Sequence, residues 1–284
     1  MTATLDLPHL KSWIGNAHSA RDTITPRLAM SLAAILDEPA DLAEGDPAPA
    51  GIHWCLSPEI APMSRLGPDG HPARGGFLPP VPLPRRMWAG GRLHFHGAFR
   101  VGDTIERRSR VSGVDVKEGR SGALCFVTVA HEYHGAGGLL LCEEHDIVYR
   151  DIAPTVPAEP PAEPLRGDVH AEIAATPVLL ARYSAVTFNG HRIHYDRDYT
   201  RDEELYPGLV VHGPLQATWL LGLARKELGG SLPERFDFRG RSPLFDGQTV
   251  GINARREGED RLALWVTAQD GVVTLDATAS GRAG

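Results

Sequence analysis

Residues 183–196 read Tyr-Ser-Ala-Val-Thr-Phe-Asn-Gly-His-Arg-Ile-His-Tyr-Asp, and ten residues later 207–215 read Pro-Gly-Leu-Val-Val-His-Gly-Pro-Leu. The first piece concentrates imidazole, amide and hydroxyl groups between short apolar runs. The second ends in a Gly-Pro turn that opens a clean helical pattern. Pro214 suits a first helical position, Gly229-Gly230 ends the pattern, and Leu215, Trp219, Leu223 and Ala224 fall along one side. A helix over 214–228 is therefore predicted, with the polar cluster just before it.

Downstream, apolar and β-branched runs predict strands at 236–240, 249–256, 262–268 and 272–279. Upstream, 152–167 carries repeated prolines in a polar setting and reads as a stiff extended linker, able to cross roughly 50 Å at the rise of such a chain. Before it lie predicted strands at 93–99, 104–116, 124–133 and 139–149. Residues 51–91 are rich in proline and glycine, which forbids a central strand or helix there. Their apolar residues, among them Phe77, Val81 and Trp88, predict an ordered loop. Thr25-Pro26 caps a helix over 27–36, and residues 5–20 read as a short helical lead-in. Val-Gly-Asp-Thr-Ile at 101–105 resembles Asp-Gly-Gln-Thr-Val at 246–250, each opening a set of strands. The offset from Gly102 to Gly247 is 247 − 102 = 145, near half of 284. The expectation is a duplicated α+β unit, residues 1–151 and 168–284, joined by 152–167.

Apolar residues are 42% and charged residues 23%, enough to bury a core. The net charge of −7 and the lack of a basic run speak against nucleic acid. No apolar run nears the length of a membrane span, about 18 residues. Three cysteines, Cys55, Cys125 and Cys142, form no C-x-x-C pair, and the N-terminus lacks a signal-peptide pattern. A cytoplasmic protein with packed thiols is expected. A homodimer is an option the sequence leaves open.

The stretch 183–194 resembles the hydratase motif of the MaoC-like (R-specific enoyl-CoA hydratase 2) hot-dog proteins, in which an Asp precedes a His by five residues. His212-Gly213-Pro214-Leu215 resembles the later His-Gly turn of that family. Thr-Phe-Asn-x-His-x-Ile-His-Tyr-Asp, at 187–196, and the run from Arg74 to Gly91 are similar to the branch with two hot-dog units in one chain. That branch includes fungal 3-hydroxyacyl-thioester dehydratase and the bacterial mesaconyl-C4-CoA and itaconyl-CoA hydratases. The resemblance implies a double hot-dog of class α+β, with antiparallel sheets each wrapped around a central helix. It implies reversible hydration of a short, dicarboxylic enoyl-CoA by residues 168–284, with 1–151 shaping the cavity. No cofactor is implied beyond the coenzyme A of the substrate.

The chemistry agrees with these residue types. Water adds to a 2,3-unsaturated thioester when the developing enolate is stabilised, and a backbone N–H at a helix start does this. Gly213 is the natural donor, since Pro214 has no N–H. His194 is the candidate base. Asn189 falls where the family has its Asp, and an amide holds or orients a water but does not take its proton. Asp196 and Asp198 are alternative carboxylates, Asp196 reading better as a turn residue. Tyr183, His212, Arg85, Arg86 and Arg192 are candidate substrate-binding residues, with Arg74 a further anion-binding candidate. His191-x-x-His194 and His94-x-His96 each supply half a metal site without a third ligand of suitable spacing, so no metal is assigned. The competing functions are a long-chain 3-hydroxyacyl-thioester dehydratase, a hot-dog thioesterase, which would need a carboxylate at Asn189, and a non-catalytic acyl-CoA-binding module. If Asn189 positions the water, Asn189→Ala lowers kcat in a hydration assay, and an unchanged kcat removes that role.

Overall fold

A computed structural model describes residues 5–119, 122–154, 158–163 and 165–281. The first half runs α1 (Leu7–Lys11), β1 (Ala17–Thr23), α2 (Pro26–Ile35), β2 (Arg85–Phe95), β3 (Thr104–Gly119), β4 (Gly122–Gly135) and β5 (Gly138–Arg150). The second runs β6 (Val169–Ala175), α3 (Pro177–Thr187), α4 (Arg197–Asp202), α5 (Gly213–Glu227), β7 (Arg235–Gly240), β8 (Gln248–Arg256), β9 (Arg261–Thr267) and β10 (Val273–Ser280). Both halves begin with a strand and a helix capped by a Thr-Pro pair. The hydroxyls of Thr25 and Thr176 accept the N–H groups of Leu28 and Leu179. Each half then ends in four strands, and this repeated order is the double hot-dog arrangement. Parts of the proline-rich stretch 152–167, namely 155–157 and 164, lie outside the described residues, so its expected span is not addressed by the structure.

All pairing is antiparallel, and the ten strands form one continuous sheet ordered β1-β3-β4-β5-β2-β7-β10-β9-β8-β6. The halves therefore join edge to edge through β2 and β7, in the register Gly91↔Phe238 and Leu93↔Phe236. Glycine is required at this seam. A Cβ on Gly90 would sit 2.5 Å from the Phe238 carbonyl oxygen, and one on Gly91 would sit 2.7 Å from the Phe238 ring. β2 starts at Arg85, directly after Pro84, eight residues earlier than the apolar pattern predicts. β1 and β6 carry no strand pattern in sequence because they are the two outer edges of the sheet and are mostly exposed.

The helices of the two halves are unequal. α5 has fifteen residues, is buried on nearly all sides from Leu215 to Leu221, and packs on β7, β8, β9, β10 and β2. Between α2 and β2 of the first half, the described residues form two short 3₁₀ turns, Ile52–Cys55 and Met63–Arg65, within a long loop. The inner face of the first half is correspondingly interrupted. Tyr133 and Leu141 belong to the main apolar core, whereas Cys125, Val127, Val129 and Tyr149 belong to a second cluster under α1 and the proline-rich loop. Between them, on alternate residues of β4 and β5, stand His131, Glu143 and His145. Glu143 is buried and accepts hydrogen bonds from Trp54 Nε1 (2.9 Å) and Tyr133 OH (3.0 Å). Burial raises its pKa above the usual carboxylate range. Replacing Gly90 by alanine should push β2 from β7 and cost ~1–3 kcal/mol. Urea unfolding of Gly90→Ala measures this, and an unchanged midpoint would remove the steric account of the seam.

Candidate active site

α3 ends because Phe188 takes a left-handed conformation (φ 52°), after which Asn189 N–H returns to the Ser184 carbonyl at 2.8 Å. The Asn189 Oδ1 accepts the N–H of His191 at 3.0 Å and tightens the next turn. That turn runs into the 3₁₀ segment Arg192–His194, closed by Asp196 N–H on the Arg192 carbonyl (2.8 Å). Asp196 then caps α4 through Tyr199 N–H and pairs with Arg192. It is a turn residue, as its position suggests, and Asp198 pairs with Arg201 on the surface.

This turn delivers His194 to the N-terminus of α5. Its ring stacks on that of His212 with centroids 3.6 Å apart and planes 19° apart, and Gly213 follows His212 as the first residue of the helix. The N–H groups of a first helical turn have no acceptor within the helix, so that of Gly213 is available to a ligand. His194 Nδ1 donates to the Val210 carbonyl at 2.7 Å, which leaves Nε2 as the nitrogen with a free lone pair. Burial, with His212 and His191 nearby, holds the His194 pKa well below the usual 6.5, so the ring is neutral. His212 is pushed down to about 3, first by burial and then by His191. Its Nε2 meets the Ser184 hydroxyl at 2.8 Å, and its Nδ1 has no partner among the described residues.

The row of imidazoles continues across the halves. His191 lies 5.5 Å from His194 in ring-to-ring distance, and His71, from the proline-rich loop of the first half, lies 4.3 Å from His191. Each outer imidazole has a carboxylate, Glu204 on His191 (3.2 Å) and Asp69 on His71 (3.1 Å). The loop is docked on the turn by Arg192 N–H to the Asp69 carbonyl (2.9 Å), and a Cβ on Gly70 would overlap the Gly190 carbonyl. Asp69, His71 and His191 place ligand atoms within 4.8 Å of one another, so a three-residue cation set exists that sequence spacing does not reveal. Within it His71 Nδ1 meets Asp69 and His191 Nε2 meets Glu204. Burial and then the Arg86 charge bring His71 down to about 3, and a guanidinium nearby disfavours a cation.

The other candidates separate by their partners. Arg85 is buried, ion-paired with Glu204, bonded to the Glu204 carbonyl and stacked on Tyr206. Arg192 pairs with Asp196 and lies over Tyr199. Arg74 caps the carbonyls of Val81, Leu83 and Pro84. Tyr183 is buried, with its hydroxyl 3.4 Å from that of Thr218 and its ring edge-on to His212. Of the candidate arginines, Arg86 is the one without a carboxylate or carbonyl partner among the described residues; it meets the Tyr149 hydroxyl instead. His94 lies with Glu234 and His96, apart from this row. Sequence reading passes over Asp69, His71, Trp88, Glu204 and the Val210 carbonyl. The Asp-Gly-His triplet in the loop is a signal for the first two, and no pattern points to a carbonyl. A cleft of about 660 Å³ opens near the C-terminal end of α5, beside Arg225, Leu228 and Arg256, far along the helix from the histidines.

Residues 51–246 match the family described as hydroxyacyl-thioester dehydratase type 2. The chain is 44% identical over 270 residues to mesaconyl-C(4)-CoA hydratase of Chloroflexus aurantiacus, covering 94% of this chain and 96% of that one. It is 26% identical over 245 residues to the mitochondrial hydroxyacyl-thioester dehydratase type 2 of Schizosaccharomyces pombe, covering 76% and 79%. In shape it matches a MaoC-like dehydratase from Phytophthora capsici with a TM-score of 0.71 at 15% identity, over 98% of each chain, which speaks for the fold alone.

The buried neutral imidazoles make the site acid-labile. His71, His194 and His212 have folded pKa values below the ordinary 6.5, so their stabilising contribution is complete above that pH and is lost as pH falls toward about 3. The melting temperature should start to fall between about pH 6.5 and 5, above the range of ordinary carboxylates. A flat profile down to about pH 5 would contradict neutral, buried histidines.

Proposed function

The chain belongs to the hydroxyacyl-thioester dehydratase type 2 family, and from that premise we propose that it hydrates a short dicarboxylic enoyl-CoA, mesaconyl-C4-CoA being the leading substrate and citramalyl-CoA the product. Enzymes of this family are hydro-lyases, and the much higher identity to the mesaconyl-C(4)-CoA hydratase than to the fission-yeast dehydratase supports the short substrate. Asn189 gives a thioesterase no carboxylate.

The observation that carries the proposal is a neutral imidazole with one free nitrogen, stacked directly before the first N–H of a fifteen-residue helix. In the proposed reaction the thioester carbonyl oxygen faces the Gly213 N–H. His194 Nε2 takes a proton from water as the hydroxyl adds to C3, and the enolate charge that develops on the carbonyl oxygen is met by that N–H and the helix dipole. The imidazolium then returns a proton to C2, which restores the neutral ring. Asn189 has its Oδ1 committed to His191, so it would hold the water through Nδ2. His212 and Tyr183 would act by fixing the plane of His194. On this reading residues 168–284 supply the reacting groups, and 1–151 supply the cavity and the loop bearing His71. The substrate brings its own coenzyme A, and no cofactor is invoked.

Purified protein should bleach the conjugated-thioester absorbance of mesaconyl-C4-CoA and lose activity sharply as the acyl chain lengthens. His194→Gln should lower kcat by about 10²–10⁴-fold with binding of the CoA thioester retained. The wild-type acid limb of kcat/KM should lie below the ordinary imidazole pKa of 6.5, because the base needs to be neutral and its pKa is depressed. An acid limb at or above that value, or full activity in the variant, would remove His194 as the base.

A further inference from the structure

The inner face of β2 carries one unsatisfied donor, the Trp88 indole N–H, and one cation without a carboxylate partner among the described residues, Arg86. Arg86 and Trp88 are alternate residues of that strand and so project from one face. Arg86 stands opposite Tyr149 on β5 and meets its hydroxyl, and among the described residues it forms no ion pair. Glu59 shares a small opening with Arg86, but no ion pair joins them. Trp88 Nε1 is shut off from solvent and has no acceptor among the described residues. Its ring lies 4.8 Å from that of His145. The same indole borders the oxyanion position, since a Cβ built on Gly213 would come 3.3 Å from Trp88 Cε3. Arg86 also presses on both neighbouring imidazoles. After burial, its charge is the next cause that brings His71 and His145 down to about 3.

A buried N–H without an acceptor is costly, and a partly buried guanidinium whose partner is a hydroxyl carries a smaller cost of the same kind. Both costs disappear if an anion enters between them. That anion has to reach the site attached to the group whose thioester sits at Gly213, and it has to be close, because Trp88 touches Gly213. A phosphate of coenzyme A lies at the far end of the pantetheine arm, so it is too distant. A carboxylate on the acyl chain, separated from the thioester carbonyl by the two alkene carbons, is near enough.

We propose that Arg86 and the Trp88 indole N–H form the recognition site for the free carboxylate of a dicarboxylic acyl group whose two carboxyl carbons are joined by two carbons, with His145 beside the indole as a neutral wall. The site rests on the hydratase reading for the placement of the thioester. It selects against a methyl-terminated acyl group, which leaves the indole N–H without an acceptor and Arg86 without a carboxylate.

Succinyl-CoA and butyryl-CoA test this without turnover, since they share a saturated four-carbon chain and differ in its end. Calorimetry on the full chain should give at least about tenfold tighter binding of succinyl-CoA, the worth of a charge-assisted hydrogen bond. Arg86→Gln should bring the ratio of the two affinities to about one. Arg86→Lys should restore part of it, because lysine keeps the charge and loses the fork. Trp88→Phe, which keeps a ring and removes the N–H, should lower the ratio about threefold or more. A wild-type ratio near one, or a ratio unaltered by Arg86→Gln in a folded variant, overturns the carboxylate site. Failure to hydrate any enoyl-CoA, with the tenfold preference intact, sinks the hydratase reading and leaves the carboxylate site standing.

Discussion

The hydrogen bond from His194 Nδ1 to the carbonyl of Val210 fixes more of this molecule's chemistry than any other contact. It chooses the tautomer, so that the free lone pair is on Nε2. It also holds the ring flat on His212, at the point where α5 begins. Val210 is itself held from two sides, its N–H on the Ile193 carbonyl and its strand-like neighbour Val211 on Leu244. His194, the proposed base, and the helix N-terminus are thereby parts of one turn rather than two loops that need to find each other. Neutral imidazoles stack without repulsion, and burial keeps them neutral.

The second organising feature is an inequality between halves that share one strand order. α5 fills the inner face of the second half, and the first half has two 3₁₀ turns and a long loop in the corresponding stretch. That difference leaves the loop free to reach across the seam and dock on residues 189–192, where Gly70 and Gly190 permit close backbone approach. It also leaves the inner face of the first half lined by groups no helix covers: Trp54, Trp88, Glu143 and His145. Their polarity would be a liability in a core.

The electrostatics follow from the same arrangement. Glu204 pairs with the Arg85 guanidinium and also meets His191 Nε2 deep in the protein, and Asp69 meets His71 Nδ1. Burial by itself raises the Asp69 pKa, but the hydrogen bonds from His71 outweigh it and hold the carboxyl below its usual range. Arg85 and Arg192 each have a carboxylate, whereas Arg86 has none among the described residues.

Much of this was legible in the sequence, and the limit has a physical cause. The strands β7 to β10, the helix α5 and the strands β3 to β5 bury apolar faces with a regular period, so the pattern alone places them within a residue or a few. The structure also brings His194, from 183–196, against His212 and the helix start at Gly213, two places the sequence motif singles out. The edge strands β1 and β6 were invisible, since an exposed edge needs no apolar alternation. α3 was missed because only Leu180, Tyr183 and Ser184 of it are buried. What the chain alone could not decide is which of several chemically equal arginines is free. Arg85, Arg86 and Arg192 differ only in whether Glu204 or Asp196 comes within reach. That is settled by contacts between distant segments, here 119 residues apart for Arg85 and Glu204, and only the folded structure brings those segments together.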